Sequence, residues 1–253
     1  LMDCHLRLNT ISTYMRMLRC IYNRGVDMHQ TPYVHRMFRD VFTGIDTRQK
    51  KAIPINELHT LLNEDPQSDK LRRTQAIANL LFLFCGMPFV DLAYLEKSNL
   101  EGNMLKYNRA KTGIPMNVEI LDSAATIISQ LRNKHTTVLP EHPDYLFYIL
   151  SGKNKRSDEA GYKEYQSALR CFNNDLKSLA RKLCIRSSVT SYTFRHSWAT
   201  TAKYRGVPIE MISESLGHKS IKTTQIYLKG FELSERTKVN RLNYSYVMNF
   251  KTI

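Results

Sequence analysis

Three residue types suited to phosphodiester chemistry follow one another near the C-terminus. Arg195 lies in the stretch Thr-Phe-Arg-His-Ser-Trp-Ala-Thr, His218 in Leu-Gly-His-Lys, and Tyr227 in Thr-Thr-Gln-Ile-Tyr. A guanidinium can hold two phosphate oxygens at once. An imidazole can move a proton near neutral pH, and a phenol can act as a covalent nucleophile. The three stretches together predict a site that attacks a phosphodiester.

The composition favours a partner that carries many negative charges. The chain has 37 Lys and Arg against 23 Asp and Glu, a formal net charge of +14 over 253 residues. Such an excess is typical of proteins that bind nucleic acid or an anionic membrane surface. No apolar run approaches the roughly 18 residues that span a bilayer, and no stripe joins bulky apolar residues to a basic face. Nucleic acid is therefore the favoured partner.

Neither a disulfide framework nor a metal centre is indicated. The five cysteines are odd in number and contain no Cys-x-x-Cys pair, and the eight histidines form no close ligand pair. We therefore expect free thiols, no metal and no cofactor. The absence of disulfide signals is typical of a reducing cytosol.

The apolar spacing predicts a mostly α protein with one small antiparallel β-sheet, an α+β class. Two short extended runs, 104–109 and 115–120, flank the turn 110–113 and predict a β-hairpin. Helical spacing, with Thr193 as the N-cap of the segment that carries Arg195, predicts helices over about 69–85, 122–132, 169–183, 193–205, 208–217 and 220–227. A short helix is expected to start at 54, and the last segment, 233–247, is weakly periodic and basic.

The N-terminal part reads as a separate helical fragment. Helical spacing runs over 10–24, and Gly25 is expected to end that helix. One helix cannot bury its own apolar face, so the fragment looks like part of a larger helical domain. We therefore divide the chain into a partial helical, DNA-binding domain at 1–45, a basic linker at 46–52 and a catalytic domain at 53–253.

The three C-terminal stretches together resemble the signature of the tyrosine recombinases, the phage-integrase family. Arg-His followed by Trp-Ala-Thr, then Leu-Gly-His, then Thr-Thr-x-x-Tyr occur in that order across residues 191–229. The nearest likeness is to integrases of mobile elements such as conjugative transposons. Weaker family-like spacing extends back to about residue 53. The resemblance implies a catalytic domain preceded by a core-binding domain, together forming a C-shaped clamp around DNA.

The resemblance also implies roles for individual residues. Tyr227 would attack the scissile phosphate and form a 3′-phosphotyrosyl link, while Arg195 would hold the non-bridging oxygens. His218 would donate a hydrogen bond to that phosphate or help to deprotonate the tyrosine. Lys111, in the hairpin turn, would protonate the leaving 5′-oxygen. Tyr192 stands where the family usually has His or Lys, and its hydroxyl can still donate to phosphate.

Two further residues are expected to support this site, and one expected arginine is missing. His196 is read as a hydrogen-bonding support, with a purely structural role as the alternative. The family places another arginine near a glycine that is followed by an acidic residue. Here Asp91 fits that acidic residue, but neither Cys85 nor Pro88 is basic. Nearby cations that could stand in are Lys70, Arg72 and Arg73.

The expected function is site-specific DNA recombination by a homo-tetramer assembled on a double-stranded recombination site. The expected location is the bacterial cytoplasm, with the nucleoid, and an accessory DNA-bending protein is left open as a partner. Two alternatives also stay open. Residues 208–228 resemble a helix-turn-helix, so the chain could be a DNA-binding regulator, and the arginine absent at Cys85 and Pro88 allows a relative that does not cut. A type IB topoisomerase is the nearest enzymatic alternative.

Overall fold

The computed structural model describes residues 6–44, 52–132, 144–154, 156–228 and 233–248. Contacts divide the chain into two compact units, Leu1–Gln49 and Lys50–Ile253. The described part is mostly helical with a small antiparallel sheet, as the sequence predicts. Its helices are α1 Leu8–Asp27, α2 Ile55–Asn63, α3 Asp69–Leu83, α4 Phe89–Ala93, α5 Asp122–Leu131, α6 Glu159–Lys182, α7 Ser191–Tyr204, α8 Ile209–Ser215, α9 Ile221–Tyr227 and α10 Leu233–Met248.

In the first unit, α1 continues past the glycine that was expected to end it. The backbone enters the left-handed region at His29, with φ of 54°, and Gln30 N–H donates to Gly25 O. Gly25 serves a different purpose, because a Cβ there would come within 3.1 Å of Thr31 Cγ2. The glycine therefore lets the returning chain pass close to the helix, and the helix ends at Asp27.

The core of the second unit forms around α3. Its buried residues lie at helical spacing and pack against α5, α6 and α7; they are Thr74, Ile77, Ala78, Leu80 and Leu81. Phe84, Met87 and Phe89 continue the same core into the turn after α3 and into α4. Burial of such apolar surface is the main favourable contribution to folding. α3 therefore fixes the positions of the elements that carry the predicted site.

The predicted hairpin is present and belongs to a three-stranded antiparallel sheet. Its strands are β1 Leu100–Glu101, β2 Met104–Asn108 and β3 Pro115–Glu119, in the order β1-β2-β3. Leu105 pairs with Val118 and Tyr107 with Met116. The sequence did not predict β1, because two residues are too few to show alternation. The register leaves residues 109–114 as the tip of the hairpin.

Two helices begin earlier than predicted. α7 starts at Ser191 and its N-cap is Thr190, whose N–H donates to Thr193 Oγ1 at 2.9 Å. Thr193 therefore closes a capping box from inside the helix and is not the N-cap. α6 starts at Glu159, ten residues before the predicted 169, and its first turns contain Gly161, a poor helix former, and the exposed Tyr162. No helix in the described ranges is long and apolar enough to cross a bilayer.

A tight approach between the α3–α4 turn and α7 depends on Gly86. Its φ is +67°, and a Cβ at this position would lie 2.9 Å from Arg195 Cα. Gly86→Ala should therefore lower the free energy of unfolding by about 3 kcal/mol, since a left-handed alanine and an overpacked contact add together. Urea unfolding of the whole chain measures this change.

Gly102→Ala is the matched control for this substitution. Gly102 has a φ of +61°, and no heavy atom lies within 4 Å of the added Cβ. This variant should lose only about 1 kcal/mol, the cost of the left-handed backbone. Equal losses in the two variants would contradict the close approach.

Candidate active site

Arg195 is a fully buried arginine that joins three parts of the second unit. It lies on α7 and is 1% exposed. Its Nη1 donates to Gly86 O at 3.0 Å, and its Nη2 donates to Leu216 O and contacts His218 Nε2 at 3.1 Å. A buried charge is costly unless hydrogen bonds compensate it. Two backbone carbonyls from separate turns therefore hold this guanidinium in place.

The contact with Arg195 fixes the tautomer of His218. A guanidinium only donates, so His218 Nε2 must accept and carries no proton in this arrangement. The proton then lies on Nδ1, which donates to Thr224 Oγ1 at 2.8 Å. Thr224 is fully buried on α9 and is the second threonine of the Thr-Thr-x-x-Tyr stretch. The ring is thus positioned from both sides.

His218 is held neutral by its surroundings. Burial, together with the positive charges of Arg195, Arg109 and Lys111, lowers its pKa from 6.5 to about 4. At neutral pH the ring is an uncharged group with a lone pair on Nε2. It can therefore accept a proton there, and a bound anion would make it a stronger base because it would offset the cations.

The hairpin tip is docked on the turn that carries His218. Thr112 Oγ1 donates to Gly217 O at 3.2 Å, and the tip closes through Gly113 N–H donating to Arg109 O. Lys111 is exposed at this tip, and its charge acts on His218. The structure therefore brings Lys111 to the same site as Arg195 and His218.

Asp91 also lies at this site, on α4. Its side chain is 1% exposed, and Oδ1 accepts from Ala110 N–H at 2.8 Å. Burial raises the pKa of the carboxyl, while the nearby Arg109 opposes that shift. Asp91 thus anchors the backbone just after β2, beside the buried arginines, and its supporting role in the site stays a prediction.

Tyr192 and His196 contact each other on α7. Their ring centroids lie 5.2 Å apart in an edge-to-face arrangement, with Tyr192 45% exposed and His196 buried. Tyr192 precedes Arg195 by three residues and so lies on the same side of the helix. The packing of His196 under Tyr192 fits either a supporting or a structural role.

Tyr227 ends α9, three residues after Thr224. The position of its backbone places the predicted nucleophile on the helix that holds His218 Nδ1. Its side chain lies outside the described part of the structure, so its role as nucleophile stays a prediction.

The two positions of the missing arginine contribute no cation. Cys85 is partly buried with φ of 54°, and Pro88 is buried as the N-cap of α4. The three nearby cations are bound elsewhere on the surface of α3. Lys70 pairs with Asp175, Arg72 pairs with Asp65 and Asp69, and Arg73 donates to Tyr148 O. None of these three side chains therefore supplies a second cation at the site of Arg195.

Arg109 was not predicted from the sequence, and the structure places it beside Asp91 in this site. Arg109 is 6% exposed, and its Nε lies 3.4 Å from Asp91 Oδ2. The alternation of β2 carried a signal for this, because Leu105, Tyr107 and Arg109 share one face of the hairpin and Leu105 is fully buried. The need for glycine at position 217 was also not predicted from the sequence. A Cβ there would come 2.9 Å from Arg109 Cγ.

The fold and this site identify the chain's family. The model of the phage integrase family matches residues 51–232. The chain belongs to the phage integrase family, as the three short stretches had indicated. Among the described residues, no group of three or more His, Cys, Asp and Glu is arranged to hold a metal ion.

Curated relatives of the chain are tyrosine recombinases. Tyrosine recombinase XerA of Pyrococcus furiosus is 30% identical over 195 residues, which cover 76% of this chain and 62% of that protein. Tyrosine recombinase XerD of Listeria monocytogenes is 24% identical over 226 residues, covering 86% of this chain and 70% of that protein. The chain therefore spans about two thirds of the length of these relatives.

Solved structures share the fold over nearly the whole chain. A variant of the Tn1549 transposon integrase in complex with a circular intermediate DNA has a TM-score of 0.67 at 14% identity, covering 94% of this chain and 81% of that one. The crystal structure of XerA recombinase has a TM-score of 0.54 at 21% identity, covering 94% and 74%.

The lowered pKa of His218 predicts how stability depends on pH. The folded pKa of about 4 lies below the unfolded value of 6.5, so the unfolded chain binds more protons between these limits. Stability should therefore fall as the pH drops from about 7 to 4, and this contribution should level off below 4.

His218→Asn should remove that contribution, and urea unfolding should then show a smaller dependence of stability on pH. In the wild-type protein, NMR titration should find no His218 midpoint above pH 5. His59→Asn, on the exposed side of α2, controls for exchanging a histidine; a His218 midpoint near 6.5 would contradict the buried, cation-lined environment.

Proposed function

We propose that this chain is a site-specific DNA recombinase that cuts and rejoins DNA through a 3′-phosphotyrosyl intermediate on Tyr227. One observation carries the proposal: the buried Arg195 is hydrogen-bonded to a neutral His218, and the hairpin with Lys111 is docked on the same turn. A guanidinium, a proton acceptor and an ammonium at one site fit the needs of phosphodiester cleavage.

The bond changes follow from these groups. Tyr227 Oη forms a bond to phosphorus, and its phenolic proton passes to His218 Nε2. The bond between phosphorus and the 5′-oxygen breaks, and that oxygen takes a proton from Lys111 Nζ. Arg195 holds the non-bridging oxygens and stabilises the added charge of the transition state. The 5′-hydroxyl of a partner strand reverses the step. No ATP, metal or cofactor takes part in this sequence.

The proposed partner is a double-stranded DNA recombination site. The charge of +14 supports this choice, because Lys and Arg that neutralise phosphates make binding strong and salt-dependent. Exchange between two sites involves four strands, so we propose a homo-tetramer on DNA, with 1–45 and 53–253 contacting the duplex. An accessory DNA-bending protein would assist, and the bacterial cytoplasm, with the nucleoid, would be the site of action.

A DNA-binding regulator is the main competing function. The region 208–228 does form two short helices, α8 and α9. However, Leu216 O and His218, in the turn between them, are hydrogen-bonded to the buried Arg195. A turn used only to orient a reading helix has no need of a buried guanidinium, so this observation favours the enzyme.

Replacing the predicted nucleophile tests the proposal. Nicked duplexes with a randomised core are incubated with the chain, and adducts that survive denaturation are recovered and sequenced. Wild type should yield covalent adducts, whereas Tyr227→Phe should yield none and still bind the recovered DNA within about threefold, because only the attacking oxygen is lost. Tyr162→Phe makes the same change on an exposed part of α6 and should react like wild type.

The outcome also separates the alternatives. DNA enriched by native binding without any adduct would support a regulator or a non-cutting relative. Adducts without sequence preference, together with relaxation of supercoiled plasmid, would support a type IB topoisomerase.

The role of Lys111 as the proton donor can be tested through the leaving group. Lys111→Ala should slow single-turnover cleavage of the recovered site by about 100-fold, the usual size of a lost general acid. A substrate with sulfur in place of the 5′-bridging oxygen should restore most of the rate, because a thiolate leaves without protonation. Lys106→Ala, an exposed lysine on β2, is the matched control. An equal defect on both substrates would exclude Lys111 as the acid.

A further inference from the structure

Arg109 has unused hydrogen-bonding capacity in a buried position. Within the described part of the chain, its Nε and Nη1 have no hydrogen-bond partner, although the side chain is only 6% exposed. Its contact with Asp91 Oδ2 at 3.4 Å lacks hydrogen-bond geometry, and that oxygen is also unsatisfied. Buried donors are nearly always satisfied, so exceptions such as this one require an explanation.

The charges around Arg109 call for an anion. Two buried guanidiniums, Arg195 and Arg109, share one buried carboxyl, Asp91. The exposed ammonium of Lys111 adds a third positive charge, and all three cations act on the imidazole of His218. The neutral imidazole of His218 contributes no charge to the cluster. The cluster therefore holds more positive than negative charge in a place where water is largely excluded, and a bound anion would offset the excess.

The course of the Arg109 side chain also brings it to the turn that carries His218. Its Cγ and Cδ run along Gly217, where a Cβ would come within 2.9 and 3.2 Å of them. Gly217 immediately precedes His218, and the charge of Arg109 acts on that ring. The guanidinium thus reaches the surroundings of the Arg195–His218 pair from β2, across the turn from α7.

We propose that Arg109 is a second catalytic arginine, which binds a non-bridging oxygen of the scissile phosphate together with Arg195. This inference rests on the proposed function. It assigns to the end of β2 the guanidinium that the resemblance placed at Cys85 or Pro88. Asp91 then has the role of holding Arg109 in position through their ion pair.

A purely structural arginine is the competing explanation. Arg109 would then only neutralise Asp91, and its loss would affect the site by loosening the hairpin. The two explanations differ in what they require of the substrate. A phosphate clamp is needed only when the phosphate carries its full negative charge, whereas a structural support is needed for every substrate.

The experiment compares two DNA substrates in single-turnover cleavage at saturating protein. One carries the normal phosphodiester at the cleavage point, and the other carries a methylphosphonate, in which a methyl group replaces one charged oxygen. Arg109→Met keeps the stem against Gly217 and removes the cation. We expect it to cleave the phosphodiester at least 100-fold more slowly than wild type, and the methylphosphonate within about tenfold of wild type.

Arg109→Lys keeps the positive charge beside Asp91, so a loss of activity in this variant is not attributed to loss of the ion pair. We expect a loss of at least tenfold on the phosphodiester, because an ammonium cannot reproduce the two-pronged geometry of a guanidinium, and a loss below threefold on the methylphosphonate. Arg73→Met, an exposed arginine on α3, should cleave both substrates within threefold of wild type. Thermal unfolding of every variant accompanies the rates.

The outcomes distinguish this inference from the function on which it rests. If wild type cleaves and the Arg109 variants lose equally on both substrates, or keep wild-type rates, Arg109 is not a phosphate clamp while the recombinase proposal stands. If wild type forms no adduct on any duplex of the library, both proposals fail.

Discussion

The site depends on one buried cation, the guanidinium of Arg195. Its burial would be prohibitive without acceptors, and the structure supplies two backbone carbonyls, Gly86 O and Leu216 O. These carbonyls come from turns that are separated by 130 residues of chain and that only the fold brings together. The arginine is therefore a structural link between α7, the α3–α4 turn and the α8–α9 turn, in addition to the function proposed for it. This double use explains why the left-handed, side-chain-free Gly86 lies against its Cα.

The same link sets the chemical state of the imidazole. Because Arg195 donates to Nε2, His218 presents a lone pair on the side of the cations and keeps its proton toward Thr224. Arg195 thus uses part of its hydrogen-bonding capacity on the protein itself. A phosphate would compete for that guanidinium, and His218 Nε2 would be released at the point where a proton must be taken up. In the proposed reaction, substrate binding and activation of His218 as the base would then follow from a single exchange of hydrogen-bond partners.

Much of the fold could be predicted from the sequence because its elements are locally encoded. The apolar spacing of α3 and the alternation around 110–113 located the central helix and the hairpin. The errors fell where local signals are weak or shared. Gly25 resembles a helix terminator but makes room for Thr31, and Thr193 resembles an N-cap but closes the box from the third helical position. In both cases the correct reading depends on a contact that the sequence does not display.

The site was predictable to the extent that its residues stand in short, ordered stretches. Arg195, His218 and Lys111 were found in this way, and the structure brings them together. Arg109 was not predicted, because the family pattern places its second arginine by position in the chain, whereas Arg109 reaches Asp91 only through the fold. A guanidinium acts through the positions of its donor atoms. A strand that ends near Asp91 can therefore place an arginine in a site as well as a helix can. The sequence pattern lacks a cation at Cys85 and Pro88, but the fold places Arg109 beside Asp91, near the buried Arg195.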